Sequence, residues 1–285
     1  MNHPDTDRDF DLDAYLDRIG YAGERMPTLA VLSALCSAHP AAIPFENIDP
    51  LLGRPPSLRI VDVQAKLVGA QRGGYCFEHN ALLRRALLAL GFGVTSLAAR
   101  VVWMAPPDLP LRPRTHMLLL VEAEGQRHVV DAGFGGHLIN VPLQLETESV
   151  QSSPVSHMRL TQSADVLSLE SRLPEGWSPL YLFTLEPQLP ADYEPLNWFT
   201  ATHPASIFRH NLLMERLTPA TRANLLNDRL TLRNVGEAPR VQRIGTADEF
   251  GQVMSEVFGL HLPVPAADLF ERVPKGRDAP FMPPQ

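Results

Sequence analysis

The chain has 285 residues, 45% hydrophobic and 20% charged, a globular composition long enough for one large domain or two to three compact ones. Its 25 basic and 32 acidic residues leave a net charge of −7, which argues against a nucleic-acid binder, and no run of about 18 apolar residues offers a membrane span. Two cysteines cannot build a disulfide framework, and the acidic opening "MNHPDTDRDFDLDAYLDR" is unlike a signal or transit peptide, so the expected location is cytoplasmic.

The first part of the chain reads as helical. "DLDAYLDRIG" places Leu12, Tyr15, Leu16 and Ile19 on one face, with Gly20 as a stop. "TLAVLSALCSAHP" follows, with Thr28 as N-cap and Pro40 after its end. Cys36 falls inside this run as a small buried apolar residue. "SLRIVDVQAKLVGA" is a third helix. A fourth begins near Cys76, carries Leu82, Leu83, Ala86, Leu87 and Leu90, and ends at Gly91 and Gly93.

Beyond residue 93 the texture changes. "GVTSLAARVVW", "HMLLLVEA", "RHVVDAGF", "VSHMRLTQ" and "VLSLESRL" are short, rich in valine and leucine, and separated by turn residues. They predict an antiparallel β-region over about residues 94 to 200. The 27 prolines gather in "APPDLPLRP", "EPQLPADYEP" and "APFMPPQ", which read as ordered loops or extended connectors. The last part is mixed. "TPATRANLLNDR" predicts a helix with Thr218 as cap and Pro219 at its first position. "RLTLRNV" and "PRVQRIG" predict a hairpin, and "TADEFGQVMSEVFGL" a helix with a Thr246–Glu249 capping box.

Cys76 stands out because "QRGGYCFEHN" sets it at the mouth of a helix, after Gly73 and Gly74. A helix N-terminus and a nearby imidazolium both stabilise a thiolate. Ten histidines are available, so geometry must choose among them. In "RTHMLLLVEAEGQRHVVDAGFGG" two strands flank the turn "EAEGQ". A turn centred between Ala123 and Glu124 sets His116 opposite Asp131 on one sheet face; a shift by one pair leaves them diagonal and still within reach. A carboxylate beside an imidazole fixes its tautomer and favours its protonated form. Docking the Cys76 helix end against this hairpin would complete a nucleophile–base–orienter set. His128 lies on the other strand face and reads as a solvated residue. His79 reads as a structural or substrate-side polar group. Zinc is the competing use of Cys76 and His79, but Cys36 and His116 would have to complete the four ligands without paired spacing, so no metal is expected.

These segments resemble the arylamine N-acetyltransferases. "DAYLDRIGY", "HPAAIPFENID", "RGGYCFEHN", "RTHMLLLV" with "DAGFGG", and "NWFTATHPASIF" are similar to the family's blocks and follow its order. Ala132 stands where the family more often has valine. The resemblance implies an α+β fold: an N-terminal helical bundle over 1–93, a central antiparallel β-barrel over 94–205, and a C-terminal α/β lid over 206–285. It implies a papain-like triad of Cys76 as nucleophile, His116 as base and Asp131 as orienter. The implied reaction moves an acetyl group from acetyl-CoA, a co-substrate, to the nitrogen of arylamines, arylhydrazines or N-arylhydroxylamines. It runs by a ping-pong route through an acetyl-cysteine. Phe45, Phe77 and Phe134 fall in the motif blocks and are expected to wall an apolar acceptor pocket. Gly135, Gly136, Arg209 and His210 are expected to meet the coenzyme. The expected partners are these small molecules, with no nucleic acid and no membrane, and the chain acting as monomer or homodimer. A cysteine hydrolase or transglutaminase-like acyl transferase would use the same triad, and a binding protein with a decayed site would keep the fold.

Overall fold

Helix α1 (Leu12–Arg18) starts where Asp11 accepts the Ala14 N–H at 3.0 Å, and α2 (Leu29–Ala42) where Thr28 accepts the Val31 N–H at 3.3 Å. The computed structural model describes residues 10–105, 112–153 and 156–280. The proline runs at 106–111 and 281–285 and the first nine residues of the acidic opening lie outside the described residues. Pro40 sits within α2 rather than after it, so the helix runs on through Ala42. A proline this close to a helix end removes only one of the last backbone bonds. Strand β1 (Phe45–Glu46) and the short α3 (Ile48–Leu51) follow, then α4 (Ile60–Gln64), which continues as a π-turn over Ala65–Gly69. Helix α5 (Cys76–Ala89) ends ahead of Gly91, whose φ of 88° supplies the left-handed residue that stops it.

Eight antiparallel strands come next: β2 (Gly93–Val101), β3 (His116–Ala123), β4 (Gln126–Val130), β5 (Leu143–Gln144), β6 (Gln151–Ser153), β7 (Ser156–Ser163), β8 (Val166–Leu173) and β9 (Gly176–Phe183). Their order is β5-β4-β3-β2-β9-β8-β7-β6. The two edges meet where the Gln151 side chain binds both the N–H and the C=O of Gln144, at 2.7 and 2.9 Å, so the sheet is nearly a closed barrel. Strict alternation divides β3 between two cores. Leu118 and Leu120 point into the barrel with Leu97, Val129 and Leu169; Met117, Leu119 and Val121 pack against Leu83 and Leu87 of α5. Each face contributes burial worth about 25 cal/mol per Å² of apolar surface.

Helix α6 (Pro190–Thr202) is a correction to the sequence reading, which kept "EPQLPADYEP" as a connector and ran the β-region to about 200. Pro190 occupies the first helical position and Asp192 takes the Leu189 N–H at 2.7 Å, so the prolines begin a helix. A second sheet, β1-β10-β11-β12-β13, joins the start of the chain to β10 (Leu213–Leu217), β11 (Thr221–Leu226), β12 (Arg229–Asn234) and β13 (Arg240–Arg243). The expected β12–β13 hairpin is present. The expected helix over "TPATRANLLNDR" is instead the β10–β11 turn and β11 itself. Thr218 Oγ1 still accepts the Thr221 N–H, at 2.9 Å, but there it closes a tight turn, a role threonine fills as readily as a helix cap. Helices α7 (Ala247–Gln252) and α8 (Ala266–Arg272) cover the apolar face of this sheet, where Met214, Leu225 and Leu230 meet Phe250, Phe258 and Leu269. Thr246 caps α7, while Glu249 reaches past the cap residue to the Gly245 N–H. The fold is α+β. No helix among the described residues is long and apolar enough to cross a membrane.

Beneath the first turn of α5 lies a buried ionic cluster. Lys66 Nζ meets Glu78 at 2.7 Å and Asp49 at 2.8 Å; Arg72 meets Asp49 at 2.9 Å and Glu46 at 3.2 Å. Burial pulls the Lys66 pKa down, but the surrounding carboxylates outweigh it and hold it above the ordinary lysine value. Glu78 in turn accepts the Tyr75 N–H at 3.1 Å, so the cluster fixes the residue before Cys76. Lys66→Met should therefore cost about 3–5 kcal/mol of stability in urea denaturation, because it strands buried carboxylates. A loss under about 1 kcal/mol would show that water already screens the cluster.

Candidate active site

His116 opens β3 and Asp131 follows the last residue of β4, so both stand at the open end of one hairpin. The turn is Glu124–Gly125, both with positive φ (51° and 78°), and it closes with Ala123 opposite Gln126. It is thus centred one residue later than the position that would set His116 directly opposite Asp131. Leu119 pairs with Val130, and one further step puts Asp131 level with Leu118, diagonal to His116. The two side chains still share the barrel-facing side, and His116 Nε2 lies 2.6 Å from Asp131 Oδ2.

The first turn of α5 docks onto this end. Cys76 Sγ approaches the Thr115 carbonyl at 3.7 Å, beside His116, and its side chain favours the protonated form of that ring. With Nε2 committed to Asp131, Nδ1 is the ring nitrogen left for sulfur. All three residues are nearly inaccessible: Cys76 4% exposed, His116 2% and Asp131 3%. Burial alone lowers an imidazole's pKa, but the charge and hydrogen bond of Asp131, joined by the Cys76 side chain, raise that of His116 to about 10. Burial alone raises a carboxyl's pKa, but His116, Asn80 and the Gly133 N–H hold Asp131 below the ordinary value.

Asn80 is the residue that sequence reasoning missed. One turn after Cys76, its Nδ2 donates to the Met117 carbonyl at 2.7 Å and to Asp131 Oδ1 at 3.0 Å, while its Oδ1 accepts the Ala132 N–H at 3.1 Å. It binds helix, strand and aspartate together. Its signal was a polar residue four positions after Cys76 on the face that continues through Leu83 and Leu87. Gly133 completes the contact. Its N–H donates to Asp131 Oδ1 at 2.9 Å, and a Cβ there would stand 2.6 Å from the Cys76 Cα.

The other expected site residues divide. Phe134 lies edge-on to His116 at 5.2 Å between ring centres and to Tyr181 at 5.1 Å. Phe45 is packed under Gly135, where a Cβ would come within 2.2 Å of the ring. Phe77 lies apart from them: its ring partners are Tyr75 and Tyr193 in the helical core. Gly136 has a φ of 99° and donates its N–H to Glu215 at 2.7 Å. Arg209 and His210 donate to the carbonyls of Thr202 and Pro204, at 3.1 and 2.6 Å. His128, expected in solvent, is buried, because its strand face with Val121 packs on the helices. His79 belongs to a buried chain: Tyr15 Oη to His39 Nδ1 (2.9 Å), His39 Nε2 to His79 Nδ1 (2.8 Å), His79 Nε2 to the Pro44 carbonyl (3.2 Å). One set of neutral tautomers satisfies every link, with the phenol donating at one end and His79 Nε2–H at the other. Cys36 lies in the helical core, where burial pushes its thiol up to about 12.

A family model described as N-acetyltransferase matches residues 28–267. The arylamine N-acetyltransferase of Mycobacterium tuberculosis is 41% identical over 265 residues, 92% of each chain. The arylamine N-acetyltransferase / N-hydroxyarylamine O-acetyltransferase of Salmonella typhimurium is 40% identical over 250 residues, 87% of this chain and 88% of its own. The structure of Mycobacterium marinum arylamine N-acetyltransferase in complex with CoA superposes with a TM-score of 0.85 at 39% identity, over 92% of this chain and 96% of that one. Fold and sequence together define an acyltransferase. The chain belongs to the arylamine N-acetyltransferase family.

Two outcomes follow from the geometry. Asn80→Ala should slow alkylation of Cys76 by iodoacetamide and lower stability by about 1–3 kcal/mol, since it leaves the Ala132 N–H and the Met117 carbonyl without their partner. Parent-like alkylation in a folded Asn80→Ala protein would remove Asn80 from the site. Because the folded-state pKa of His116 lies above the ordinary 6.5, the stability its imidazolium contributes is complete below about pH 6.5 and is lost as the pH climbs toward 10. The stability gap between the parent and His116→Gln, read by urea denaturation, should therefore narrow with rising pH over that window. A gap that widens contradicts the ion pair.

Proposed function

We propose that the protein transfers an acetyl group from acetyl-CoA to an aromatic amine or hydrazine by way of an acetyl-cysteine at Cys76. The observation that carries this reading is the buried line from Cys76 through His116 to Asp131. The Cys76 thiolate adds to the thioester carbonyl, and N–H groups of the first turn of α5 face the developing oxyanion. Collapse breaks the bond to the coenzyme sulfur, which leaves with the proton of the His116 imidazolium. The amine then adds to the acetyl-cysteine, His116 takes its proton, and the Cys76 thiolate departs, restoring the ion pair. Asp131 keeps the ring oriented and balances its charge throughout.

Phe134 and Tyr181 supply the apolar wall nearest His116, with Phe45 behind Gly135. Gly136, where a side chain would meet only the Trp103 ring nitrogen at 3.6 Å, is assigned to the donor's thioester arm, whereas Gly135 is small because the Phe45 ring fills the place of a side chain. Arg209 holds the Thr202 carbonyl through one guanidinium nitrogen and keeps its other N–H donors for the coenzyme phosphates, while His210 Nε2 is engaged by the Pro204 carbonyl. The Salmonella relative's name includes O-acetylation of N-hydroxyarylamines, so an N-arylhydroxylamine acceptor is assigned acetylation at oxygen rather than at nitrogen.

Mixing the protein with acetyl-CoA should add the mass of one acetyl group, located on Cys76. Aniline should then remove it as acetanilide, and initial rates should give the parallel double-reciprocal lines of a ping-pong reaction. Cys76→Ala should fold and gain no acetyl group. Release of acetate without acetanilide would point instead to a thioester hydrolase.

A further inference from the structure

The loop after Asp131 is held at both ends, and its far hold lies outside the Cys76–His116–Asp131 line. Gly133 abuts the Cys76 backbone and Phe134 abuts the His116 ring, so the loop covers one side of the reacting pair. Beyond that point it lies across the second sheet. Phe45 on β1 and Glu215 on β10 are direct cross-strand partners and share one face. Gly135 rests on the Phe45 ring, while Glu215 takes the Gly136 N–H at 2.7 Å and the Leu138 N–H at 3.1 Å. Glu215 is completely buried and ion-paired with Arg222 of β11. Arg222 also donates to the Leu138 carbonyl at 3.1 Å, so the pair grips Leu138 by both its N–H and its C=O. On the barrel side, His137 Nε2 meets Ser171 Oγ at 2.6 Å.

We infer that Glu215, held by Arg222, is a positioning residue for the thioester donor: it fixes the Gly133–Leu138 loop and so sets the width of the approach to Cys76. A fully buried carboxylate with two backbone N–H groups and a guanidinium on it holds a loop at a single height. The near end of the loop is fixed separately, by Asn80 and by the bonds within Asp131–Gly133. Loss of the clamp therefore moves the entrance and leaves the thiol's activation in place. A bulky thioester senses this change; a small alkylating agent does not. The inference rests on the acetyl-CoA reading proposed above.

Glu215→Gln keeps the side chain's shape and removes its charge and one acceptor oxygen. The acetyl-CoA concentration that half-saturates Cys76 acetylation should rise by about tenfold, the scale of one buried hydrogen bond to a charged group. The pH profile of Cys76 alkylation by iodoacetamide should overlay the parent's. Arg222→Lys keeps the buried charge pair but loses the fork that reaches Leu138; it should raise half-saturation by about threefold, and it decides the question if Glu215→Gln does not fold. Parent-like saturation in a folded variant overturns the inference. A displaced alkylation profile also overturns it, because the clamp would then act through the triad. Acetylation of the parent tests the functional reading, and the variant-to-parent ratio tests the clamp, so the two failures are distinguishable.

Discussion

The Cys76 backbone has to lie in van der Waals contact with the open end of the β3–β4 hairpin, and much of the molecule serves that contact. Gly133 permits the approach because a side chain there would strike the Cys76 Cα. Asn80 holds it with three hydrogen bonds, to the Met117 carbonyl, the Ala132 N–H and Asp131 Oδ1, all of them buried. The odd-numbered residues of β3, packed on α5, keep helix and strand in register over their length. A shift of one residue along either element would separate sulfur from imidazole.

Charge is buried where layers meet. The Lys66–Arg72 cluster lies between β1, α3 and the mouth of α5; His116 and Asp131 lie between barrel and helix; Glu215 and Arg222 lie between the second sheet and the loop after Asp131. Apolar contacts tolerate small slips, whereas a buried ion with several hydrogen bonds does not. At each junction one acidic residue also takes a backbone N–H close to the site: Glu78 that of Tyr75, Asp131 that of Gly133, Glu215 that of Gly136. Electrostatics and backbone geometry are thus set by the same groups.

The second sheet makes the ends of the chain interdependent. β1, between α2 and α3, pairs with β10, some 170 residues later. Phe45 and Glu215 become neighbours only through that pairing, and the loop that covers Cys76 rests on both. The C-terminal strands therefore contribute to the site through its support and not only through what they enclose.

Local chemistry written in the sequence settled much of this. The helix mouth at Cys76, the caps at Thr28 and Thr246, the alternating strands and the hairpin carrying His116 and Asp131 are all properties of contiguous segments, and the family blocks place them in order. Where a local signal had two satisfactory outcomes, only the tertiary structure chose. Thr218 and Pro219 suit a tight turn as well as a helix start. The prolines of "EPQLPADYEP" suit a first helical turn as well as a connector. A polar turn of several residues fits either of two registers, and the Glu124–Gly125 backbone selected the diagonal one. Burial of His128 depended on which strand face met the helices. Asn80 and Glu215 were invisible for a plainer reason. Their partners lie about 50 and 80 residues away, and a hydrogen bond across that distance exists only once packing has placed both ends.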